Sequence, residues 1–395
     1  MMIKSINESN FNGKRVIIRV DFNVPIKDGQ VADITRIEAA LPTIDKVIDD
    51  GGIPILISHL GRPTGPQKEF SLEPVAKYMR EFYGYNVIFI HDCIGDEVKN
   101  AIKAAVPGDV VLLENLRFHL EEEKNDIEFA RKLAELGDIY IDDAFGSIHR
   151  SHSSIDAICK FFPERYAGYL LLNELDYMGK TLDNPKHPFI AILGGAKISD
   201  KIDVIRNLLS KCDSILIGGA MTFTFLKAKG YEVGKSLVES DKIELANELM
   251  EEANQMKVQL VLPDDIIVAD KLSEDANCQN VSIENIPNDW MGVDIGENTI
   301  KKYSTIIHNS KTIFWNGPLG IFEIDKFSKG TYAITKAMAD ASENGAITVV
   351  GGGDSASAVL KSGLSDKITY ISTGGGASLE YIKGKKLPGL VALEV

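Results

Sequence analysis

In the first half of the chain, basic residues stand just after short apolar runs. Val20 is followed by Asp21, Phe22 and Asn23, with Arg36 opening the next helix-like stretch. Ile57 leads to His59 and Arg62, Leu113 to Glu114, Asn115 and Arg117, and Ile141 to Asp142, Asp143, His149 and Arg150. A guanidinium is a planar fork that matches the oxygens of a carboxylate or phosphate. Four arginines and two histidines converging there predict a small, multiply anionic ligand. The second half ends its runs in glycine. Leu193 leads into GGAKISDK (residues 194–201), Ile217 into GGAMTF (218–223), Trp315 into NGPLGIFE (316–323), Val350 into GGGDSASA (351–358) and Ile371 into STGGGASLE (372–380). Glycine lets a backbone approach a phosphate closely, and the helix that follows offers N–H donors and a positive dipole end. One glycine loop alone is an ordinary tight turn; five together predict a polyphosphate nucleotide site. Lys197 and Lys201 are four apart, a spacing that puts them on one helix face beside it.

Such residues need rigid elements behind them. Apolar runs at residues 16–20, 53–57, 87–90, 110–113, 139–141, 189–193, 215–217, 260–262, 313–315, 347–350 and 368–371 are rich in Val and Ile and do not alternate with polar residues. That is the pattern of strands buried on both faces of a parallel sheet. Amphipathic stretches such as 126–136 and 242–253 lie between them, so repeated βα units and parallel sheets flanked by helices are expected. Eleven runs are too many for one comfortable sheet, which predicts an α/β fold of two lobes. Residues 166–186 read as an amphipathic helix that joins them. Ligands of open parallel sheets bind outside the carboxyl ends of the strands, where the arginines and glycines stand.

Bulk properties narrow the classes. Hydrophobic residues make up 44% and charged residues 25% of 395, an ordinary globular balance. A net charge of −14 gives no electrostatic reason to bind nucleic acid or an anionic membrane. Cys93, Cys159, Cys212 and Cys278 form no CxxC and match no zinc-binding spacing. Reduced thiols, no signal-peptide core and no long apolar span predict a soluble cytoplasmic protein. His91, His119, His187 and His308 receive no functional role, and the acidic run 121–123 reads as a solvated helix start.

Two motifs mislead. GYEVGKS (230–236) resembles a P-loop but has three residues between its glycines where the motif needs four. GGGDSA (351–356) fits a loose G-x-G-x-x-A pattern, which supports a nicotinamide-dependent oxidoreductase as the alternative. No acidic residue ends a following strand at the distance a ribose needs, and Asp354 suits a nucleotide-bound Mg²⁺ as well. A non-catalytic small-anion binder is a third reading, in which Lys201 and the glycine loops have no purpose.

Ordered motifs then carry a resemblance. RVDFNVP (19–25), SHLGRP (58–63), SLEPVA (71–76), LLENLRF (112–118), DAFG and HRSHSS (143–154), GYLLLNEL (168–175), AILGGAKISDKI (191–202), WNGPLGIFE (315–323), GGGDSA and STGGGASLE together span the chain. The set resembles the phosphoglycerate kinases. The resemblance implies two Rossmann-like lobes with a cleft between them: residues 1–168 for 3-phosphoglycerate, a connecting helix over 169–184, residues 185–379 for nucleotide, and a tail, 380–395, packing back on the first lobe. It implies reversible transfer of the acyl phosphate of 1,3-bisphosphoglycerate to ADP in a cytoplasmic, glycolytic, hinge-bending monomer that uses Mg²⁺. By the same resemblance Asp21, Asn23, Arg36, His59, Arg62, Arg117 and Arg150 bind 3-phosphoglycerate. Lys197 and Lys201 contact phosphates, and Glu323 holds the ribose. Gly195, Ala196, Gly219, Asn316, Pro318, Gly353, Asp354 and Ser355 form the nucleotide loops, with Asp354 near the Mg²⁺. Gly374, Gly375 and Gly376 open the helix that meets the moving phosphoryl group. In the expected direct in-line transfer, Arg36, Lys201 and those three glycine amides surround that group. Ser355 stands where the family usually has Thr, and Asp142 where Asn is commoner, adding charge near the basic site.

Overall fold

The structure, a computed structural model, describes residues 3–394. The chain divides into two compact units: one runs to Leu175 and takes back the segment from Lys386, the other is Asp176–Lys385. The first unit holds β1 (Arg15–Val20), a short hairpin of β2 (Ile26–Lys27) and β3 (Gln30–Val31), then β4 (Ile53–Ile57), β5 (Asn86–Ile90), β6 (Asp109–Leu113), β7 (Ile139–Asp143) and β8 (Arg165–Ala167). All but the hairpin join one parallel sheet in the order β5-β6-β4-β1-β7-β8. Val16, Ile18 and Val20 pack with Leu56, Leu112 and Ile141 against Ile44 and Val47 of the helix Thr35–Asp49. Their neighbours Ile17, Ile55, Val111 and Tyr140 are equally buried. Successive side chains point to opposite faces, so burial of both sets explains the unbroken apolar runs.

The second unit holds β9 (Phe189–Leu193), β10 (Ser214–Ile217), β11 (Gln259–Val261), β12 (Asp265–Ala269), β13 (Cys278–Ser282), β14 (Met291–Ile295), β15 (Thr312–Asn316), β16 (Ile347–Gly351) and β17 (Tyr370–Ile371). Its parallel sheet runs β11-β10-β9-β15-β16-β17. One core cluster takes Phe189, Ala191, Leu193, Ile215 and Phe314, and another takes Ile190, Ile192, Leu216, Ile313 and Trp315. In sequence, between β11 and β15 of this sheet, the chain forms a separate three-stranded antiparallel sheet, β13-β12-β14. The periodicity did not announce it, because β13 (CQNVS) is mostly polar and exposed. The three-residue β8 was hidden for a similar reason: it is too short for a run and begins with Arg165.

Neighbouring strands β1 and β7 send the chain in opposite directions, β1 toward β4 and β7 toward β8. In the second sheet β9 and β15 do the same, toward β10 and β16. Loops that diverge this way leave a crevice at the strand ends. The helix Tyr169–Leu182 runs through the division at Leu175. The closing helix Pro388–Leu393 seats in the first unit, where Gly389 N donates to Ile148 O at 3.0 Å and Arg165 donates to the carbonyls of Ala392 and Glu394 at 2.9 and 2.6 Å.

Two carboxylates end β7 inside the first core, both fully buried. Asp142 Oδ1 accepts from Ala144 N at 2.9 Å, and burial pushes its pKa up to about 6. Its extra charge therefore sits within the sheet. Asp143 Oδ1 accepts from Leu171 N at 3.1 Å, while Oδ2 has no hydrogen-bond partner. Burial, with Asp142 adding to it, pushes Asp143 up to about 7. A carboxyl raised on folding binds more protons native than unfolded, so its contribution is present at low pH and lost as pH rises through the folded value. Thermal unfolding of wild type and Asp143→Asn should therefore diverge between about pH 4 and 7, with the variant gaining relative stability on the order of 2–4 kcal/mol. A constant difference across that range would show that Asp143 does not titrate there.

Candidate active site

In the first unit, Arg19 lies near the carboxyl end of β1 and is almost fully buried. Its Nε donates to Ser154 Oγ at 2.9 Å, its Nη1 to Val20 O, and its Nη2 lies 3.1 Å from His59 Nδ1. Arginine has no acceptor, so Nδ1 of His59 must accept and Nε2 carries the proton, ready to donate to an anion. Burial holds His59 well below the usual histidine range, and Arg19, Arg117, Arg150 and Arg36 add to that. The imidazole is neutral within a ring of guanidinium groups. His152 is likewise held down to about 3, by burial and then Arg117, Arg19 and Arg150.

Arg36, in the first turn of its helix, donates through Nη1 to Asp21 Oδ2 at 2.9 Å and to Asn23 O at 3.3 Å. Among the described residues nothing takes its Nη2. Asn23 Oδ1 in turn accepts from Gly61 N at 2.9 Å. Arg117 is buried; its Nη1 donates to Gly61 O at 2.5 Å, and its Nε lies 3.0 Å from Glu123 without hydrogen-bond geometry. Burial lowers Arg117 to about 10, with Glu123 opposing. Arg62 is exposed on the loop after β4, and Arg150, half-buried, donates to His149 Nε2 at 3.3 Å. Asp21, Asn23, Gly61, Arg36 and Arg117 thus form one hydrogen-bonded frame, with His59 and Arg150 within electrostatic reach.

The reading of residues 121–123 as a solvated helix start fails at Glu122. Its side chain is fully buried, its Oε1 accepts from Ser154 Oγ at 2.6 Å and its Oε2 from Ser154 N at 3.0 Å. Through Ser154 it anchors Arg19 under His59. A charged residue inside an apolar strand run, RVIIRV, was the available signal, since an arginine is almost never buried without partners.

In the second unit, the loops after β9 and β15 meet. Gly194 N donates to Asn316 O and Gly195 N to Pro318 O, each at 3.0 Å. A Cβ on Gly194 would lie 2.1 Å from Pro318 O, and one on Gly219 2.5 Å from Gly195 N. Glycine at these two positions is required by loop-to-loop packing. Gly353 has open space around it, as a backbone that receives a ligand needs. Asn316 Nδ2 donates to Gly351 O at 2.7 Å, which turns its Oδ1 to the ammonium of Lys201. Ser355 Oγ accepts from Gly317 N at 2.6 Å, so the hydroxyl in the place of the usual threonine holds the β15 loop.

Lys197 and Lys201 do not share a helix face. Residues 194–201 are irregular, and the helix Ile202–Leu209 starts only after Lys201. Glu239 prevents earlier winding by accepting from Ile198 N, Ser199 N and Ser199 Oγ at 2.6, 3.2 and 2.5 Å. Burial lowers Lys201 to about 8, with Asp200 and Asp354 opposing.

Two grooves open on these loops. One, about 440 Å³, is lined by apolar Phe223, Leu272, Met291, Val293 and Leu319, with Glu323 and Gly219. The other, about 740 Å³, is lined by Lys197, Lys201, Lys383 and Asp200. Gly195, Ala196, Pro318 and Asp354 wall both. Gly374, Gly375 and Gly376 stand apart from both linings, at the start of the helix Gly376–Ile382, where Gly374 N donates to Ser372 Oγ at 3.1 Å.

A sequence model described as phosphoglycerate kinase matches residues 6–385. The phosphoglycerate kinase of Chloroherpeton thalassium is 55% identical over 394 residues, covering 100% of this chain and 99% of that one. The solved phosphoglycerate kinase of Coxiella burnetii superposes with a TM-score of 0.91 at 40% identity over 99% of each chain. That of Pyrococcus horikoshii does so with 0.86 at 32% identity, over 99% of this chain and 98% of its own.

Two titrations check these electrostatics. His59 should show no NMR titration between about pH 5 and 8; a midpoint near the ordinary histidine value would contradict its arginine surroundings. Lys201 loses its charge as pH rises through about 8. The kcat/KM for nucleotide should fall above that pH, and Lys201→Arg should remove the fall.

Proposed function

The chain belongs to the phosphoglycerate kinase family, and from that membership we propose how its own residues carry the family's reaction. The reaction is the phosphoryl transfer between 1,3-bisphosphoglycerate and ADP, yielding ATP and 3-phosphoglycerate in glycolysis. The observation that carries the residue assignment is the pair of adjoining grooves in the second unit, one apolar and one lined by lysines, with shared walls. A nucleotide is likewise apolar at its base and polyanionic at its phosphates.

The base lies in the apolar groove, with Glu323 accepting from the ribose hydroxyls. Gly195, Ala196, Gly219, Asn316, Pro318, Gly353 and Ser355 shape the loops around it. Lys197 and Lys201 meet the phosphates, and Asn316 aims Lys201. Among the described residues, no three metal-binding side chains converge at Asp354. One exposed carboxylate suits a Mg²⁺ that arrives on the nucleotide and keeps most of its other ligands as phosphate and water. The ion's contribution there is to neutralise phosphate charge.

Asp21, Asn23, Arg36, His59, Arg62, Arg117 and Arg150 bind 3-phosphoglycerate. Forks from several directions suit a ligand with a carboxylate at one end and a phosphate at the other. The carboxylate oxygen is already a nucleophile, so no general base is needed, and neutral His59 donates a hydrogen bond. Residues 1–168 thus serve one substrate and 185–379 the other, with 169–184 between them; of the tail 380–395, the part from Lys386 returns to the first. Chemistry requires a state that brings the carboxylate in line with the terminal phosphorus. In that state Arg36, Lys201 and the amides of Gly374, Gly375 and Gly376 share the charge on the phosphoryl oxygens. With the family we read the protein as a cytoplasmic monomer, and a net charge of −14 offers no electrostatic attraction to nucleic acid or an anionic membrane.

Supplied with ATP, Mg²⁺ and 3-phosphoglycerate, with the acyl phosphate trapped as it forms, the protein should release ADP. Binding without turnover would contradict the reading. Arg36→Ala and Lys201→Ala should each lower kcat by about 10²–10³, with unchanged circular dichroism. Near-normal turnover in either variant would remove that residue from the transition state.

A further inference from the structure

The loop after β5 and the turn after β6 bring together three side chains that the kinase reaction does not use. Asp92, Cys93 and His119 each present one ligand atom, and the three atoms all lie within 4.8 Å of one another. Among the described residues no other trio of His, Cys, Asp and Glu converges so. Their sequence spacing hides the cluster, because His119 lies 26 residues beyond Cys93 and arrives through strand pairing.

The geometry is fixed from several sides. His119 Nε2 lies 2.7 Å from Asp92 Oδ1, and the imidazole stacks on Phe129 with ring centroids 5.3 Å apart. Asp92 Oδ1 also accepts from Cys93 N at 2.6 Å. The Cys93 thiol closes the inner side, 1% exposed, whereas the His119 and Asp92 side chains are 26% and 51% exposed. Those two line a groove of about 940 Å³ that His91 and Glu114 also border. A thiol inside, an imidazole and a carboxylate outside, and a groove beyond them describe three protein ligands with one position left for water.

We propose that Asp92, Cys93 and His119 form a binding site for a divalent ion of the zinc class. Mixed sulfur, nitrogen and oxygen donors suit a borderline-soft ion with tetrahedral preference, and not the hard Mg²⁺ that accompanies the nucleotide. Zinc bonds of about 2.0–2.3 Å set tetrahedral ligand atoms roughly 3.3–3.7 Å apart. The His119–Asp92 separation must widen from its hydrogen-bonded value, and the exposed Asp92 carboxylate can turn to allow this. On binding, the Cys93 thiol proton leaves to solvent, the Nε2 lone pair of His119 takes the metal, and its N–H moves to Nδ1. The ion ties the β5 loop to the turn Leu116–Phe118, which carries Arg117.

The test uses the full chain, stripped with chelator and free of nucleotide, titrated separately with zinc chloride and cobalt chloride. Calorimetry should find one zinc per chain with a Kd of about 1 µM or tighter. Cobalt should give the intense visible bands of a tetrahedral site and a thiolate charge-transfer band. His119→Gln at a half-buried position and Asp92→Asn at an exposed one should each weaken zinc binding at least ~10-fold. Cys93→Ser should abolish the charge-transfer band. The proposal is overturned if zinc binds as tightly to His119→Gln and Asp92→Asn as to wild type. A cobalt spectrum that is octahedral and lacks the thiolate band overturns it as well, as does no binding at millimolar zinc.

Discussion

Both sheets are buried on both faces, and that constraint governs the rest of the molecule. A strand with apolar side chains above and below has no surface for chemistry; only its ends reach solvent. Function is thereby confined to loops at the strand ends, and a crevice forms where neighbouring strands send their loops in opposite directions. β1 with β7, and β9 with β15, are those neighbours. Asp21 and Arg150 follow the first pair; at the second, Lys201 follows β9 and Asn316 ends β15, and the two meet through a hydrogen bond.

Holding an anion in a chain of net charge −14 needs local positive charge that does not collapse onto the chain's own carboxylates. Arg36 is held by Asp21 through one nitrogen only, and Arg19 lies beneath, committed to His59, Ser154 and Val20 O. Buried Glu122 fixes Ser154 in turn. This polar network inside the core orients His59 and sets its tautomer, so the site is arranged before ligand arrives. Oriented groups of this kind stabilise a transition state because they need no reorganisation as charge moves. The second unit reaches the same end by backbone: glycines at 194 and 219 let three loops touch, and Asn316 and Ser355 lock them.

The main strands and their polar ends were legible because each run is short, branched and unbroken. The five glycine loops were legible for the same reason, as they follow runs directly. Among the features that were not, three show why. The β12–β14 sheet has an apolar run only in β12 (DIIVA), and its partner β13 is mostly polar and exposed. The geometry of Lys197 and Lys201 depends on Glu239, 38 residues beyond Lys201, which no local pattern reveals. Glu122 looked solvated because its neighbours are, and only the fold shows that it turns inward. Long-range partners decide such cases: a spacing of four is helical only where the backbone is free to wind.

The proposed transfer is one direct in-line displacement at phosphorus, which needs no residue to carry the phosphoryl group between substrates. A single displacement inverts the configuration of that atom, whereas passage through a phosphorylated residue restores it. The most direct measurement is therefore the stereochemical course of transfer from ATP made chiral at its terminal phosphoryl group by oxygen isotopes, with 3-phosphoglycerate as acceptor. Inversion is predicted. Net retention would contradict the account and require a phosphoenzyme.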